Sequence, residues 1–178
     1  RLVNIRTQEV QHQKEKIESQ KADLEVEKEK AEKLLLNILP EETVEELKAN
    51  GKATARSYRR ATVMFTDIKG FTQISENMPP TELVARLDNY FVEFDKIIEN
   101  YGIEKIKTIG DAYMCAGGVP IRNKSNPIDT VLAGLDIQRF MLRDKAARQE
   151  RGEDYWELRI GIHTGEIIAG VIGAKRFA

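Results

Sequence analysis

No aromatic residue occurs before Tyr58 and no glycine before Gly51. Residues 1–33 carry eight basic and eight acidic side chains, with neither Gly nor Pro among them. Such a segment cannot build a globular core, but it can form one long solvated helix. Val3, Val10, Ile17, Leu24 and Ala31 repeat every seven residues, the pattern of a coiled-coil seam. The companion position three residues on is mostly polar: Arg6, Gln13, Gln20, Glu27 and then Leu34. The spacing therefore predicts a weak parallel dimer whose register shifts easily, which suits a signal-transmitting rod. Leu34, Leu35, Leu36, Ile38 and Leu39 form an apolar knot before Pro40, which should stop or kink the rod. A second short helix follows over 41–50, closed by Gly51, and then a basic connector. The expected division is a coiled-coil helix over 1–39, a transducer helix and connector over 40–57, and a globular domain over 58–178.

The globular part alternates strand and helix signals. Ala61 to Thr66 is apolar and β-branched and ends at Asp67 and Gly70, which marks a central strand. Leu83, Leu87, Tyr90, Phe94, Ile97 and Tyr101 form one face of a long helix from Thr81. Strands over 103–109 and 112–119 are joined at Gly110-Asp111 as a hairpin. A further helix opens at Asn126, taken as its cap, with Pro127 first inside and Ile128, Val131, Leu132 and Leu135 as its buried face. Strands over 157–164 and 166–172 flank a turn expected at Gly165. With a short helix near 71–75 added, the order β-α-β-β-α-β predicts an α+β fold. It is the ferredoxin-like split βαβ arrangement, an antiparallel sheet with helices on one face. The other face of the sheet needs a cover or a partner.

Composition excludes several functions. A net charge of −1 argues against nucleic acid or acidic lipid as a partner held by bulk charge. One Cys forms no intrachain disulfide, and two His are too few for a Cys/His zinc cluster. Cys115 reads as core and His163 as structural. No apolar run reaches the ~18 residues of a membrane span, and no signal-peptide pattern opens the chain. The numbering begins mid-pattern and stops abruptly, which reads as a fragment of a longer protein with a sensor or membrane part upstream.

The chemistry centres on Asp67 and Asp111. Each ends an apolar strand beside a glycine. In a split βαβ sheet the first and third strands pair, so both carboxylates meet at one end of the sheet's middle. Two carboxylates that close repel unless a cation lies between them. Mg²⁺ suits them, because it takes one or two carboxylates together with phosphate oxygens, and two such ions stabilise an attacking and a leaving oxygen. Gly70 permits a tight turn into a helix start at Phe71 and Thr72, where backbone N–H groups can face a phosphate.

FTDIKGFT (65–72), IKTIGDAYM (106–114) and RIGIHTGEIIAGVIG (159–173), in that order, resemble the motifs of class III nucleotidyl cyclases. LLLNILPEETVEELK (34–48) is similar to the linker preceding such domains in many bacterial receptors. The resemblance implies that Asp67 and Asp111 bind two Mg²⁺ or Mn²⁺ ions, with the Ile68 carbonyl assisting one. It also implies that the backbone of Ile68, Lys69, Gly70 and Phe71, with Thr72, holds a triphosphate, and that Lys175 reaches a phosphate. It further implies a homodimer, through coiled coil and catalytic domain, with two head-to-tail sites on the cytoplasmic side. Family members that use ATP tend to carry Lys where guanylate cyclases carry Glu, and here that position is Lys107. A Lys donates to the N1 acceptor of adenine, whereas guanine presents N1–H and N2–H donors that a Glu would accept. The expected activity is therefore adenylate cyclase, converting ATP to 3′,5′-cyclic AMP and pyrophosphate. The alternatives are a guanylate cyclase and a non-catalytic dimeric signalling module. A cyclic-dinucleotide synthase or polymerase-like palm lacks support, for want of a Gly-Gly-Asp/Glu-Glu-Phe tip and a basic groove. The family's second adenine-contacting Asp and its Asn and Arg, which stabilise the transition state, fall beyond Ala178. These 178 residues alone are accordingly expected to be nearly inactive.

Overall fold

The charged opening segment is helical along its length: α1 spans Leu2–Leu36, and α2 spans Glu41–Asn50. The structure, a computed structural model, describes residues 2–36, 41–51, 54–172 and 176–177. Ile38, Leu39 and Pro40 of the expected knot lie outside the described residues. Ile17 and Leu24 of the heptad seam are exposed. No described helix is long and apolar enough to cross a membrane. The chain divides into two compact units, Arg1–Ala53 and Thr54–Ala178.

The second unit is a four-stranded antiparallel sheet in the order β2-β3-β1-β4. Its strands are β1 (Arg56–Ile68), β2 (Glu104–Ile109), β3 (Ala112–Gly117) and β4 (Leu158–Ala169). Between β1 and β2 lie the short α3 (Phe71–Asn77) and α4 (Pro80–Glu99), and between β3 and β4 lies α5 (Asn126–Glu150). A separate two-stranded pair joins β5 (Val171–Ile172) and β6 (Arg176–Phe177). This is the α+β arrangement expected, with β1 central.

Alternation along β1 sorts its side chains between two environments. Met64, Thr66 and Ile68 are buried on the helix-covered face, with Met64 and Ile68 in the core beside Tyr90, Phe94 and Ile98 of α4 and Ile137 and Met141 of α5. Val63, Phe65 and Asp67 turn to the opposite, open face, where Val63 joins a smaller cluster with Ala61, Ala116 and Ile106. Phe65 is 43% exposed. On α4 the buried positions Arg86, Tyr90, Phe94 and Ile98 recur every four residues, one stripe of a helix.

Three local expectations are corrected. The cap of α5 is Ser125, not Asn126. Asn126 is instead wholly buried: its Oδ1 accepts from Thr62 Oγ1 at 2.6 Å and its Nδ2 donates to the Asn123 carbonyl at 2.7 Å. A Cβ at Gly117 would come within 2.8 Å of Thr130 Oγ1, so the close approach of β3 to α5 requires glycine there.

The buried face of α5 is also not the bulky apolar one. Ile128, Val131, Leu132 and Leu135 are exposed, whereas Asn126, Thr130, Ala133, Gly134, Ile137 and Met141 face the sheet. Small residues decide this. A Cβ at Gly134 would already sit 3.3 Å from both Ile162 Cδ1 and Met64 Sδ, so at this turn the helix lies too close to the sheet for a larger side chain.

Finally, β4 runs unbroken through Gly165, which pairs with Ala61, and no turn occurs there. The irregularity lies in β1 instead, as a register shift between Tyr58 and Ala61. A bulge bends a strand without ending it.

Candidate functional site

The hairpin of β2 and β3 turns through Gly110, at φ 61°, and Asp111. Because β3 pairs with β1 up to Thr66↔Tyr113, the turn brings Asp111 alongside the end of β1. Asp111 Oδ2 accepts a hydrogen bond from the Ile68 N–H at 3.1 Å. On the other side of β1, the Lys69 N–H donates to the Glu157 carbonyl at 2.9 Å. In an antiparallel ladder successive residues point their backbone groups to opposite neighbours. Ile68 therefore directs its N–H and C=O away from β4, toward Asp111. The two aspartates, far apart in sequence, share one end of the sheet.

Asp67 stands opposite Arg159 of β4, and the Arg159 guanidinium forms an ion pair with Asp67 Oδ2. Arg159 thus places a cation beside the Asp67 carboxylate. The available donors are two carboxylates and a backbone carbonyl, all hard oxygens of the kind Mg²⁺ and Mn²⁺ prefer. Among the described residues no group of three or more His, Cys, Asp or Glu side chains gathers as a metal cluster. Phosphate oxygens of a substrate would have to complete the coordination.

Gly70, at φ 73°, carries the chain from β1 into α3, a backbone angle that side-chain-bearing residues rarely adopt. The expected phosphate cradle is narrower than the sequence suggested. The Ile68 N–H is taken by Asp111 and the Lys69 N–H by the Glu157 carbonyl, which leaves Gly70, Phe71 and Thr72 at the start of α3. The Lys69 side chain also turns to Glu157, with Nζ 3.0 Å from Oε2, while Lys145 Nζ of α5 lies 2.6 Å from Oε1.

Lys145 first, and then Lys69, hold the Glu157 carboxyl down at about 2, from an ordinary 4.5. Its depressed value means that Glu157 stabilises the fold fully above pH 4.5 and loses that contribution as pH falls through about 2. The expected result is a thermal midpoint lower in Glu157→Gln than in the parent near neutral pH. That difference should vanish as acid approaches pH 2. A gap independent of pH would show that the two lysines do not act through this charge.

Lys107 pairs with Met114 of β3, which itself pairs with Phe65, so it belongs to the open face of the sheet. It lies two strands across and two residues along from Asp67, roughly 12 Å at ordinary strand geometry, and does not join the aspartates within one chain. Lys175 lies outside the described residues. Cys115 is wholly buried in the core, and burial pushes its thiol up to about 12, while His163 is exposed on β4.

Sequence reasoning assigned no role to Arg159, Glu157 or Lys145, and it overlooked Trp156. Arg159 lies within a quoted motif, and strand alternation places it with Asp67. Nothing local marks the others. A cleft of about 370 Å³ behind the Gly70 turn is lined by Gln73, Ile74, Met78 and Trp156 among others, but by neither aspartate. Asp67 and Asp111 thus lie outside this cleft.

The model of the adenylate and guanylate cyclase catalytic domain matches residues 53–178. Atrial natriuretic peptide receptor 2 of Homo sapiens is 40% identical over 154 residues, covering 84% of this chain and 14% of the receptor. Guanylate cyclase 2G of Rattus norvegicus is 35% identical over 162 residues, covering 91% of this chain and 15% of that protein. The chain thus spans only a small part of the length of the curated relatives it matches. A solved catalytic core of a rhodopsin-guanylyl cyclase with converted specificity, in complex with ATPαS, superposes with a TM-score of 0.61 at 34% identity. That match covers 67% of this chain and 64% of the other.

Proposed function

Because the chain belongs to the adenylate and guanylate cyclase catalytic domain family, we propose that its parent protein cyclises a purine nucleoside triphosphate to the 3′,5′-cyclic monophosphate, releasing pyrophosphate. The observation that supports this is that Asp111 accepts from the N–H of Ile68, the residue after Asp67, which puts both carboxylates at one end of the sheet. Asp67, Asp111 and the Ile68 carbonyl would hold Mg²⁺ or Mn²⁺, which when bound supplies acidification of the ribose 3′-hydroxyl and charge neutralisation at the phosphates. Gly70, Phe71 and Thr72 orient the triphosphate. Arg159, released from Asp67 once that carboxylate is otherwise neutralised, is free to swing to the phosphate oxygens, where a planar fork of donors fits. The ribose 3′-hydroxyl gives its proton to solvent, its oxygen attacks the α-phosphorus, and the bond to the pyrophosphate oxygen breaks.

The purine divides the observations. A relative named as a guanylate cyclase favours GTP over the ATP expected from the sequence. Lys107 is the specific observation favouring ATP, since an ammonium can donate to adenine N1 but offers nothing to the N1–H of guanine. A guanylyl cyclase core of converted specificity that holds ATPαS supports reading the purine from local residues, not from overall identity. Head-to-tail pairing of two chains would bring Lys107 of one to the aspartates of the other. The heptad seam of α1 would assist that pairing, and an input region upstream would drive it from the cytoplasmic side of a membrane.

The test is cyclic-nucleotide production by the full-length protein, offered ATP and GTP separately with Mg²⁺ or Mn²⁺. No product from either overturns the proposal. Lys107→Glu is expected to shift the ATP-to-GTP ratio of kcat/KM toward GTP by about 10²-fold. An unmoved ratio would remove Lys107 from the base contact.

A further inference from the structure

In a regular strand, residues two apart share a face, so Lys105 and Lys107 of β2 should point together. They do not. Lys105 stands opposite Cys115 and Lys107 opposite Met114, adjacent residues of β3, with Ile106 inserted between them. Cross-strand partners share a face. Cys115 is wholly buried under the helices, whereas Met114 pairs with the half-exposed Phe65 on the open face. One extra residue has reversed the phase of the strand.

Asp95 of α4 meets Lys105 on the helix side. Its Oδ2 lies 2.7 Å from Lys105 Nζ, and its Oδ1 accepts from the Tyr113 hydroxyl at 2.5 Å. The Lys105 ammonium also lies 5.2 Å from the centre of the Tyr113 ring. Lys105 is thus drawn to the helix side. Ile106 meanwhile packs into the apolar cluster of the other face with Val63 and Ala116. The ion pair is about 40% exposed on each side, so it contributes little to stability. Its consequence is geometric.

We infer that Asp95 is a positioning residue for purine selection, holding Lys105 on the helix side so that Lys107 alone of the two β2 lysines faces the open side of the sheet. The inference rests on the reading of Lys107 as the base contact. The tight turn at Gly110-Asp111 holds the register of Lys107. Release of the clamp therefore restores regular alternation by swinging Lys105 out beside Lys107. Two mobile ammonium groups at the purine edge discriminate less than one fixed donor.

The experiment uses the full-length protein and reads the ratio of kcat/KM for the preferred purine over the other. Asp95→Ala is expected to lower that ratio about tenfold, with kcat for the preferred purine within a few-fold of the parent. Adding Lys105→Met to Asp95→Ala removes the second ammonium and should restore the ratio, which a merely structural defect would not allow. Should Asp95→Ala fail to fold, Asp95→Asn keeps an acceptor for the Tyr113 hydroxyl and reads the same quantity. An unchanged ratio in either variant, or no restoration by Lys105→Met, overturns the inference while leaving the cyclase reading intact. A parent protein that makes no cyclic nucleotide, or shows no purine preference, overturns the reading beneath it.

Discussion

Asp67→Ala in the full-length protein is expected to lose cyclase turnover by about 10³-fold or more, because the charge developing at the α-phosphate then has no anchored counter-charge. Asp111→Ala should do the same, and the double variant should be no worse than either alone, since groups that act as one unit are not additive. Excess Mn²⁺ should not rescue any of them. The fold should survive. The Asp67 side chain is 46% exposed and its partner Arg159 is 68% exposed, so loss of the ion pair leaves no buried charge behind. Thermal melting and cyclic-nucleotide assays on the same preparations check both halves. An Asp67→Ala protein that keeps even a tenth of parental turnover would remove the carboxylate pair from the chemistry.

The second large effect concerns stability. Trp156 is 2% exposed and lies where three elements converge. Its ring meets Phe71 of α3 edge-on at 6.4 Å, Tyr90 of α4 at 5.4 Å, and the Arg86 guanidinium at 4.4 Å. Arg86 is itself buried and donates to the Asp154 carbonyl at 2.6 Å, which ties α4 to the segment before β4. Trp156→Ala should destabilise the globular unit by about 3–5 kcal/mol, from lost burial and the cavity left behind. Urea unfolding is expected to show a lower midpoint with an unchanged slope. Because Phe71 rests on this ring, the same variant should raise KM for the nucleotide more than it lowers kcat. An unfolding free energy within about 1 kcal/mol of the parent would mean that neighbouring aromatics fill the space.

Local chemistry made much of this protein legible. The strand before Asp67, the turn at Gly70 and the hairpin tip at Gly110-Asp111 are each short-range features. A β-branched run, a glycine forced to positive φ and a two-residue turn state their geometry within a few residues. The rule that the first and third strands pair in a split βαβ fold then sufficed to put the two aspartates at the same end of the sheet. The long α1 was equally legible, since an unbroken run of helix formers without Gly or Pro leaves little else to form.

Other features depended on what lies across a gap, and no local pattern reports that. The bulky stripe Ile128, Val131, Leu132 and Leu135 read as the buried face of α5 because hydrophobic periodicity counts apolar residues, not clearance. The helix instead seats Ala133 and Gly134, because Met64 and Ile162 leave no room for more. The expected turn at Gly165 dissolved into a continuous β4 once β1 could absorb the irregularity in a bulge. The Lys69 N–H was lost to the phosphate cradle because β4 pairs one residue beyond the end of β1.

The amino-acid order by itself thus determined the long α1 helix, the strand-helix succession and the acidic residues at the end of β1 and in the β2–β3 turn, because turns, breakers and periodicity act over a few residues. Tertiary packing alone decided which face of α5 is buried, that Arg159 meets Asp67, and that Lys105 and Lys107 part company across Ile106. Those outcomes turn on clearances and charge partners that long stretches of chain must first fold to create.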